Sequence, residues 1–101
     1  MYRMPKIEMF CGVPLMVEKE SDTNLRVEGL GTPERLRAEI YRPCNMGDKP
    51  GFNVRVVTHH PEQWISSTEA LYWLLPWDVA VETAKRWCAH MDLPEEARNK
   101  G

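Results

Sequence analysis

The 101-residue sequence contains few cysteines and no long hydrophobic segment. Its three cysteines, Cys11, Cys44 and Cys88, are odd in number and widely spaced, unlike the dense, even sets that cross-link small secreted domains. No stretch approaches the roughly 20 apolar residues that a membrane-spanning helix requires. The N-terminal segment also lacks the apolar core of a signal peptide. We therefore expect reduced thiols and a cytoplasmic protein.

An excess of charge of one sign is also missing. Thirteen Lys and Arg residues stand against fifteen Asp and Glu residues, which gives a net charge of −2. This balance argues against indiscriminate attraction to nucleic acid or to an anionic membrane. The length and the apolar fraction of 43% are typical of one globular domain. We expect that domain to cover residues 1–94 and a polar, frayed tail to cover residues 95–101.

The first half of the chain alternates apolar and polar residues in the manner of β-strands. Gly12 and Pro14 interrupt a first strand-like segment over residues 7–20, and a second alternation follows at residues 25–29. Residues 36–40 and 52–56 alternate in the same way and predict a hairpin. Its predicted core face carries Leu36, Ala38, Ile40, Phe52, Val54 and Val56, and its other face carries Arg37, Glu39, Tyr41, Asn53 and Arg55. A helix starting at Thr32-Pro33-Glu34 is the main alternative, because proline suits a first helical turn.

The second half shows helical spacing. Ser66 and Glu69 fit a capping box, which predicts a short helix that ends before Pro76. From Trp77 to Met91 the apolar residues recur at the spacing of an amphipathic helix, and Glu82 and Arg86 form an i, i+4 pair on its outward face. The sequence therefore predicts an α+β domain, with a small antiparallel sheet of three to four strands and two C-terminal helices packed on one face.

No residue constellation predicts catalysis or metal binding. His59, His60, Cys88 and His90 carry suitable atoms, but they do not form the two close ligand pairs of a structural zinc site. Cys88 and His90 also point apart if both lie on one helix. None of the cysteines has a base nearby in sequence, and residues 29–32 are too short for a phosphate-binding loop. We predict a protein without enzymatic activity, metal or cofactor.

The predicted sheet face with Arg37, Tyr41 and Arg55 offers a nucleic-acid interpretation. An aromatic ring flanked by arginines can stack bases and neutralise phosphates. Acidic residues are interleaved with these arginines, among them Glu28 and Glu39, and they weaken the electrostatic attraction that such binding needs. A solvated strand face with cross-strand Arg and Glu pairs is the simpler explanation. A small nucleic-acid-binding domain stays the alternative function.

Tryptophan is concentrated in residues 64–87, which contain all four tryptophans of the chain. Trp77 and Trp87 fall on the apolar stripe of the second predicted helix, where packing explains them. Tyr72 and Trp73 fall towards the flanks of the first predicted helix. Because Trp and Tyr serve as anchors in protein interfaces, an exposed patch of these two residues, rimmed by Glu69 and Asp78, predicts a protein-binding or dimerisation surface. Packing over the sheet edge explains Tyr72 and Trp73 almost as well.

Residues 54–76 combine an outward arginine on a strand with the segment Ser66-Ser67-Thr68-Glu69-Ala70-Leu71-Tyr72-Trp73-Leu74-Leu75-Pro76. As a strand followed by a short capped helix, they resemble the strand-to-helix junction of some small phage anti-CRISPR proteins. Those proteins bind a bacterial interference complex and block recognition of target DNA or recruitment of a nuclease. The resemblance implies an inhibitor from a phage or mobile element that acts by binding, and it assigns no role to any single residue.

These observations predict a non-enzymatic protein-binding module. Its expected partner is another protein or a nucleoprotein complex, with a homodimer as a further option and direct nucleic-acid binding less favoured. The candidate partner-binding residues are Glu69, Tyr72, Trp73, Asp78, Arg37, Tyr41 and Arg55.

Overall fold

The computed structural model describes residues 5–30, 35–43, 49–60 and 65–94. In chain order the elements are β1 (Lys6–Phe10), β2 (Val13–Ser21), β3 (Asn24–Gly29), β4 (Arg35–Tyr41), β5 (Phe52–His60), β6 (Ile65–Leu75) and α1 (Trp77–Cys88). The six strands form one antiparallel sheet in which each strand pairs with its neighbour in sequence. The fold is therefore a six-stranded meander that ends in one helix.

The predicted α+β fold of three to four strands and two helices is wrong in its second half. The sheet has six strands, and the described residues contain one helix. Residues 65–75, predicted as a capped helix, form strand β6, which pairs with β5 from end to end. A two- to three-turn helix is only marginally stable by itself, and Thr68, Tyr72 and Trp73 favour strands. The hydrogen-bonded ladder with β5 therefore outweighs the capping box.

The strands predicted in the first half are confirmed. A turn at Cys11 and Gly12 separates β1 from β2, and β4 and β5 form the predicted hairpin with Ala38 opposite Val56. Five of the six predicted core positions on these two strands are confirmed as buried; they are Leu36, Ala38, Ile40, Val54 and Val56. The sixth, Phe52, is partly buried and packs against the core. The alternative helix start at residues 32–34 and the predicted tail at residues 95–101 lie outside the described residues.

The second predicted helix is confirmed as α1, which packs across strands β3, β4 and β5. Its buried side consists of small residues, Ala80, Thr83, Ala84 and Cys88, so the helix lies close to the sheet. At Gly29 of β3 an added Cβ atom would lie 2.8 Å from the Cys88 carbonyl oxygen. Glycine is therefore required there for the helix to approach. Ala89, which follows the last residue of the helix, is also buried.

Only one face of the sheet is covered by a described element. Helix α1 lies on the face that carries the core, which includes Leu15, Val27 and Ile40. We call the opposite side the open face. Within the described part of the chain, no helix has the length and hydrophobicity to cross a bilayer.

Candidate functional site

The open face carries two rows of side chains that cross the sheet from strand to strand. Successive side chains of a strand point to opposite faces, so the residues between the core positions lie on the open face. The strand registers align the first row as Ile7, Met16, Glu28, Arg37, Val57 and Thr68. They align the second row as Glu18, Arg26, Glu39, Arg55 and Leu71.

The charges in the middle of the open face alternate in sign. Arg26 lies 3.7 Å from Glu18 and 2.9 Å from Glu20. Arg37 lies 3.9 Å from Glu28 and 4.0 Å from Glu39. These side chains are about one third exposed, and each such pair contributes roughly 0–1 kcal/mol to stability. These pairs matter more for recognition than for stability, because neighbouring carboxylates already neutralise the charge of Arg26 and Arg37.

Arg55 differs from the other two arginines of this face. It is exposed and makes no ion pair within 4.0 Å among the described residues, although the register places it between Glu39 and Leu71. In the described part of the chain, Arg55 is therefore the arginine of this face whose guanidinium has no carboxylate partner.

Apolar side chains are exposed at both outer strands of the sheet. On β1, Ile7 and Met9 are 66% and 67% exposed, and on β6, Leu71 and Trp73 are 42% and 50% exposed. Exposed apolar residues that cluster are typical of interaction surfaces. The open face thus has a charged centre and two apolar borders.

A β-bulge lies next to Trp73, near the end of β6. Asn53 stands opposite both Trp73 and Leu74, because Phe52 pairs with Leu75 and Val54 pairs with Tyr72. The buried Asn53 side chain accepts a hydrogen bond from the Leu74 backbone N–H at 3.1 Å, and Leu74 adopts a φ of 57°. Alternation after Tyr72 places Trp73 on the open face, and the bulge at Leu74 returns Leu75 to the core, where it is fully buried. Asn53 pairs with Tyr41 on the predicted face, but its side chain is buried and not displayed.

Tyr72 belongs to the core and not to the open face. It is 9% exposed, and its hydroxyl accepts a hydrogen bond from the Trp87 indole N–H at 3.0 Å. Because adjacent residues of a strand point to opposite faces, Tyr72 and Trp73 cannot form one patch. The sequence-predicted pair is therefore separated by the sheet itself.

The other candidates fall into two groups. Arg37, Tyr41 and Arg55 all lie on the open face with Trp73. Glu69 occupies a second bulge of β6, where it accepts a hydrogen bond from the Thr58 hydroxyl at 2.8 Å. Asp78 is exposed in the first turn of α1, which packs on the opposite side of the sheet. Glu69 and Asp78 therefore do not lie together beside Trp73.

The cysteine that the structure buries is not activated for nucleophilic chemistry. Cys88 Sγ contacts the backbone carbonyl oxygens of Val27 at 3.4 Å and Leu36 at 3.7 Å. Burial raises the pKa of its thiol to about 12, so the thiol is protonated at neutral pH. The described residues contain no cluster of three or more His, Cys, Asp and Glu side chains that can hold a metal ion. Cys44 and the side chains of His59 and His60 lie outside the described part.

A concave region of about 420 Å³ lies at the end of α1, lined by Arg86, Trp87, His90, Met91, Asp92 and Leu93. The Arg86 guanidinium donates to Glu82 at 2.8 Å and to the Asp92 carbonyl oxygen at 2.9 Å. The guanidinium of Arg86 is thus already hydrogen-bonded within the chain. The open face is the stronger candidate, because Arg55 and Trp73 are still available there.

Comparison with protein-family models, with curated proteins and with solved structures finds no match to this chain.

Proposed function

We propose that this chain is a non-enzymatic protein-binding module that engages its partner through the open face. The observation that carries the proposal is the half-exposed Trp73 beside Leu71 and Arg55 on a face that no described helix covers. Trp and Arg are the residues most enriched among the energetic anchors of interfaces. Covering roughly 100 Å² of apolar Trp73 surface contributes about 2.5 kcal/mol at about 25 cal/mol per Å².

Charge on the open face favours a protein partner over nucleic acid. Four glutamates (Glu18, Glu20, Glu28 and Glu39) accompany three arginines (Arg26, Arg37 and Arg55) on or beside this face. A polyanion needs uncompensated cations to neutralise its phosphates, whereas a protein surface can match mixed charges. The alternative, nucleic-acid binding by Arg37, Tyr41 and Arg55, is supported by their common position on this face.

The partner class remains the one expected from the sequence, a host protein or nucleoprotein complex in the bacterial cytoplasm, bound by an inhibitor of phage or mobile-element origin. This narrower proposal depends on the resemblance to anti-CRISPR proteins. That resemblance is to a strand followed by a helix, and the same residues form the β5–β6 hairpin. The exposed residues of the open face, and not the resemblance, therefore support binding as the activity.

Capture from bacterial lysate tests the proposal. The immobilised chain is compared with Trp73→Thr, which preserves strand propensity, and with Asp78→Asn on the helix side of the sheet. A captured protein that is lost with Trp73→Thr and retained with Asp78→Asn supports the proposal. Equal capture by all three chains contradicts it.

A gel-shift measurement with single-stranded DNA, duplex DNA and RNA at low salt tests the alternative. Binding that weakens steeply with added salt and with Arg37→Gln or Arg55→Gln would replace the protein-binding proposal by the nucleic-acid one. If none of the three nucleic acids shows a shift, the alternative is removed.

A further inference from the structure

The charged residues of the open face are arranged so that a two-fold rotation places each positive residue opposite a negative one. From β2 to β5 the second row carries Glu18, Arg26, Glu39 and Arg55, which alternate as negative, positive, negative, positive. In the first row, Glu28 on β3 stands beside Arg37 on β4. Consider two copies related by a two-fold axis that runs parallel to the strands, between β3 and β4. In this arrangement β2 of one copy faces β5 of the other, and β3 faces β4. Every charge in these two rows then meets a charge of opposite sign.

We propose that the open face binds the open face of a second copy of this chain around such an axis. Glu18 of one copy then faces Arg55 of the other, Arg26 faces Glu39, and Glu28 faces Arg37. Met16 faces the position of Val57 in the first row, where the Val57 side chain is already buried within its own chain at 6% exposure. Two-fold symmetry requires an interface of this self-complementary kind. This inference rests on the proposed function, because it names the partner of the same face.

The outer strands also meet in this arrangement. The axis places β1 of one copy over β6 of the other and keeps the rows, so Ile7 covers Thr68. Leu71 and Trp73 lie one and two rows further along β6. The face spans five inter-strand spacings, or about 24 Å at about 4.8 Å each.

The arginines can still donate to a second copy. Three of the four contacts that Arg26 and Arg37 make with carboxylates are 3.7–4.0 Å long, which is beyond hydrogen-bond distance. A guanidinium has five N–H donors, so donors remain for the carboxylates of the facing copy. Arg55, without an ion pair among the described residues, gains its first carboxylate from Glu18 of the other copy.

Glu18 and Arg55 provide a test of the dimer, because they are too far apart to interact within one chain. They lie on β2 and β5, three strands apart, which is about 14 Å at the usual strand spacing. An effect of one on the other therefore has to pass through a second copy.

Sedimentation velocity over a range of protein concentrations provides the measurement. Glu18→Arg and Arg55→Glu each place like charges opposite each other at two symmetry-related contacts, so we expect each variant to be monomeric where the unmodified chain is dimeric. An equimolar mixture of the two variants restores opposite charges at both contacts, so we expect a dimer with one copy of each. Asp22→Arg and Lys49→Glu make the same charge changes at exposed positions off this face, and we expect both to dimerise normally.

Thermal unfolding verifies that the variants fold. If a charge reversal unfolds the chain, the neutral variants Glu18→Gln and Arg55→Gln are measured instead. Each variant removes two symmetry-related ion pairs from the dimer, so we expect the dimer to weaken about tenfold. The proposal is overturned by an unmodified chain that stays monomeric at every concentration. It is equally overturned by a dimer that both reversals leave intact, or by a mixture that does not associate.

The capture assay with Trp73→Thr keeps the two proposals separate. A monomeric chain that still captures a lysate protein through Trp73 overturns the dimer and leaves the proposed function standing. A charge-dependent dimer that captures nothing supports the inference about the second copy and contradicts a separate host partner.

Discussion

Trp87 of the helix donates its indole N–H to the hydroxyl of Tyr72 on the last strand, across 3.0 Å. This hydrogen bond joins the C-terminal end of α1 to the outer strand β6 and commits Tyr72 to the covered face of the sheet. Trp73, the next residue, is left on the open face at 50% exposure. Two aromatic neighbours in sequence thus lie on opposite faces of the sheet, one buried and one half exposed.

Substitutions at these two positions are expected to separate stability from binding. Tyr72→Phe removes the acceptor of the Trp87 indole and lowers the free energy of unfolding by about 1 kcal/mol. Trp73→Thr removes a half-exposed side chain and changes that free energy by less than about 1 kcal/mol. Urea unfolding monitored by circular dichroism measures both. A larger loss for Trp73→Thr than for Tyr72→Phe would place Trp73 in the core.

Gly29→Ala is expected to push α1 away from the sheet. Its new Cβ atom would lie 2.8 Å from the Cys88 carbonyl oxygen, a backbone atom that cannot rotate away. Overpacking of this kind typically costs about 1–3 kcal/mol. Thermal unfolding measures the cost, and an unchanged melting temperature would contradict the close helix–sheet approach.

The two described free cysteines are expected to differ in reactivity. Cys11 is exposed in the turn between β1 and β2, whereas Cys88 is buried with a thiol pKa raised to about 12. Since the thiolate is the reactive form, a thiol reagent at pH 8 modifies Cys11 in the folded protein and reaches Cys88 only after unfolding. Peptide mass spectrometry identifies the modified sites, and rapid modification of Cys88 in the folded chain would contradict its burial.

Cys88 also predicts a loss of stability at high pH. Its folded pKa of about 12 lies above the ordinary value of 9.0, so between these values the unfolded chain releases a proton that the folded chain keeps. This group's contribution is therefore fully present below about pH 9 and is lost as the pH rises towards 12, by about 1.4 kcal/mol per pH unit. The difference in unfolding free energy between the unmodified chain and Cys88→Ala, followed as a function of pH, separates the contribution of the Cys88 thiol from that of the other titrating groups. A difference that stays constant from pH 8 to pH 10.5 would contradict the prediction.

Much of the sheet is predictable from the sequence, because its strands alternate without interruption. Val27 and Ala38 each lie in a segment where every second residue is buried, and no helix accommodates that period. Strand β6 is different, because two bulges, at Glu69 and at Trp73 and Leu74, shift its alternation twice within eleven residues. The remaining pattern, with Leu71, Leu74 and Leu75 at helical spacing, then resembles a helix face.

The candidate site is predictable only in part, for a related reason. Alternation alone places Arg37, Tyr41 and Arg55 on one face, and the structure agrees. It cannot say which residues of neighbouring strands align, because register depends on the turns and bulges between them. The rows that place Glu18 beside Arg26 and Arg26 beside Glu39 are therefore visible only once the strands are paired.

The sequential strand order has a consequence for how the molecule is made. Because each strand pairs with the one before it, every new strand that leaves the ribosome can add to an edge already formed, and no long loop has to close first. The apolar face, however, stays uncovered until α1 follows the last strand. During synthesis the growing sheet thus exposes the surface most prone to aggregation, and the twelve residues of α1 end that exposure.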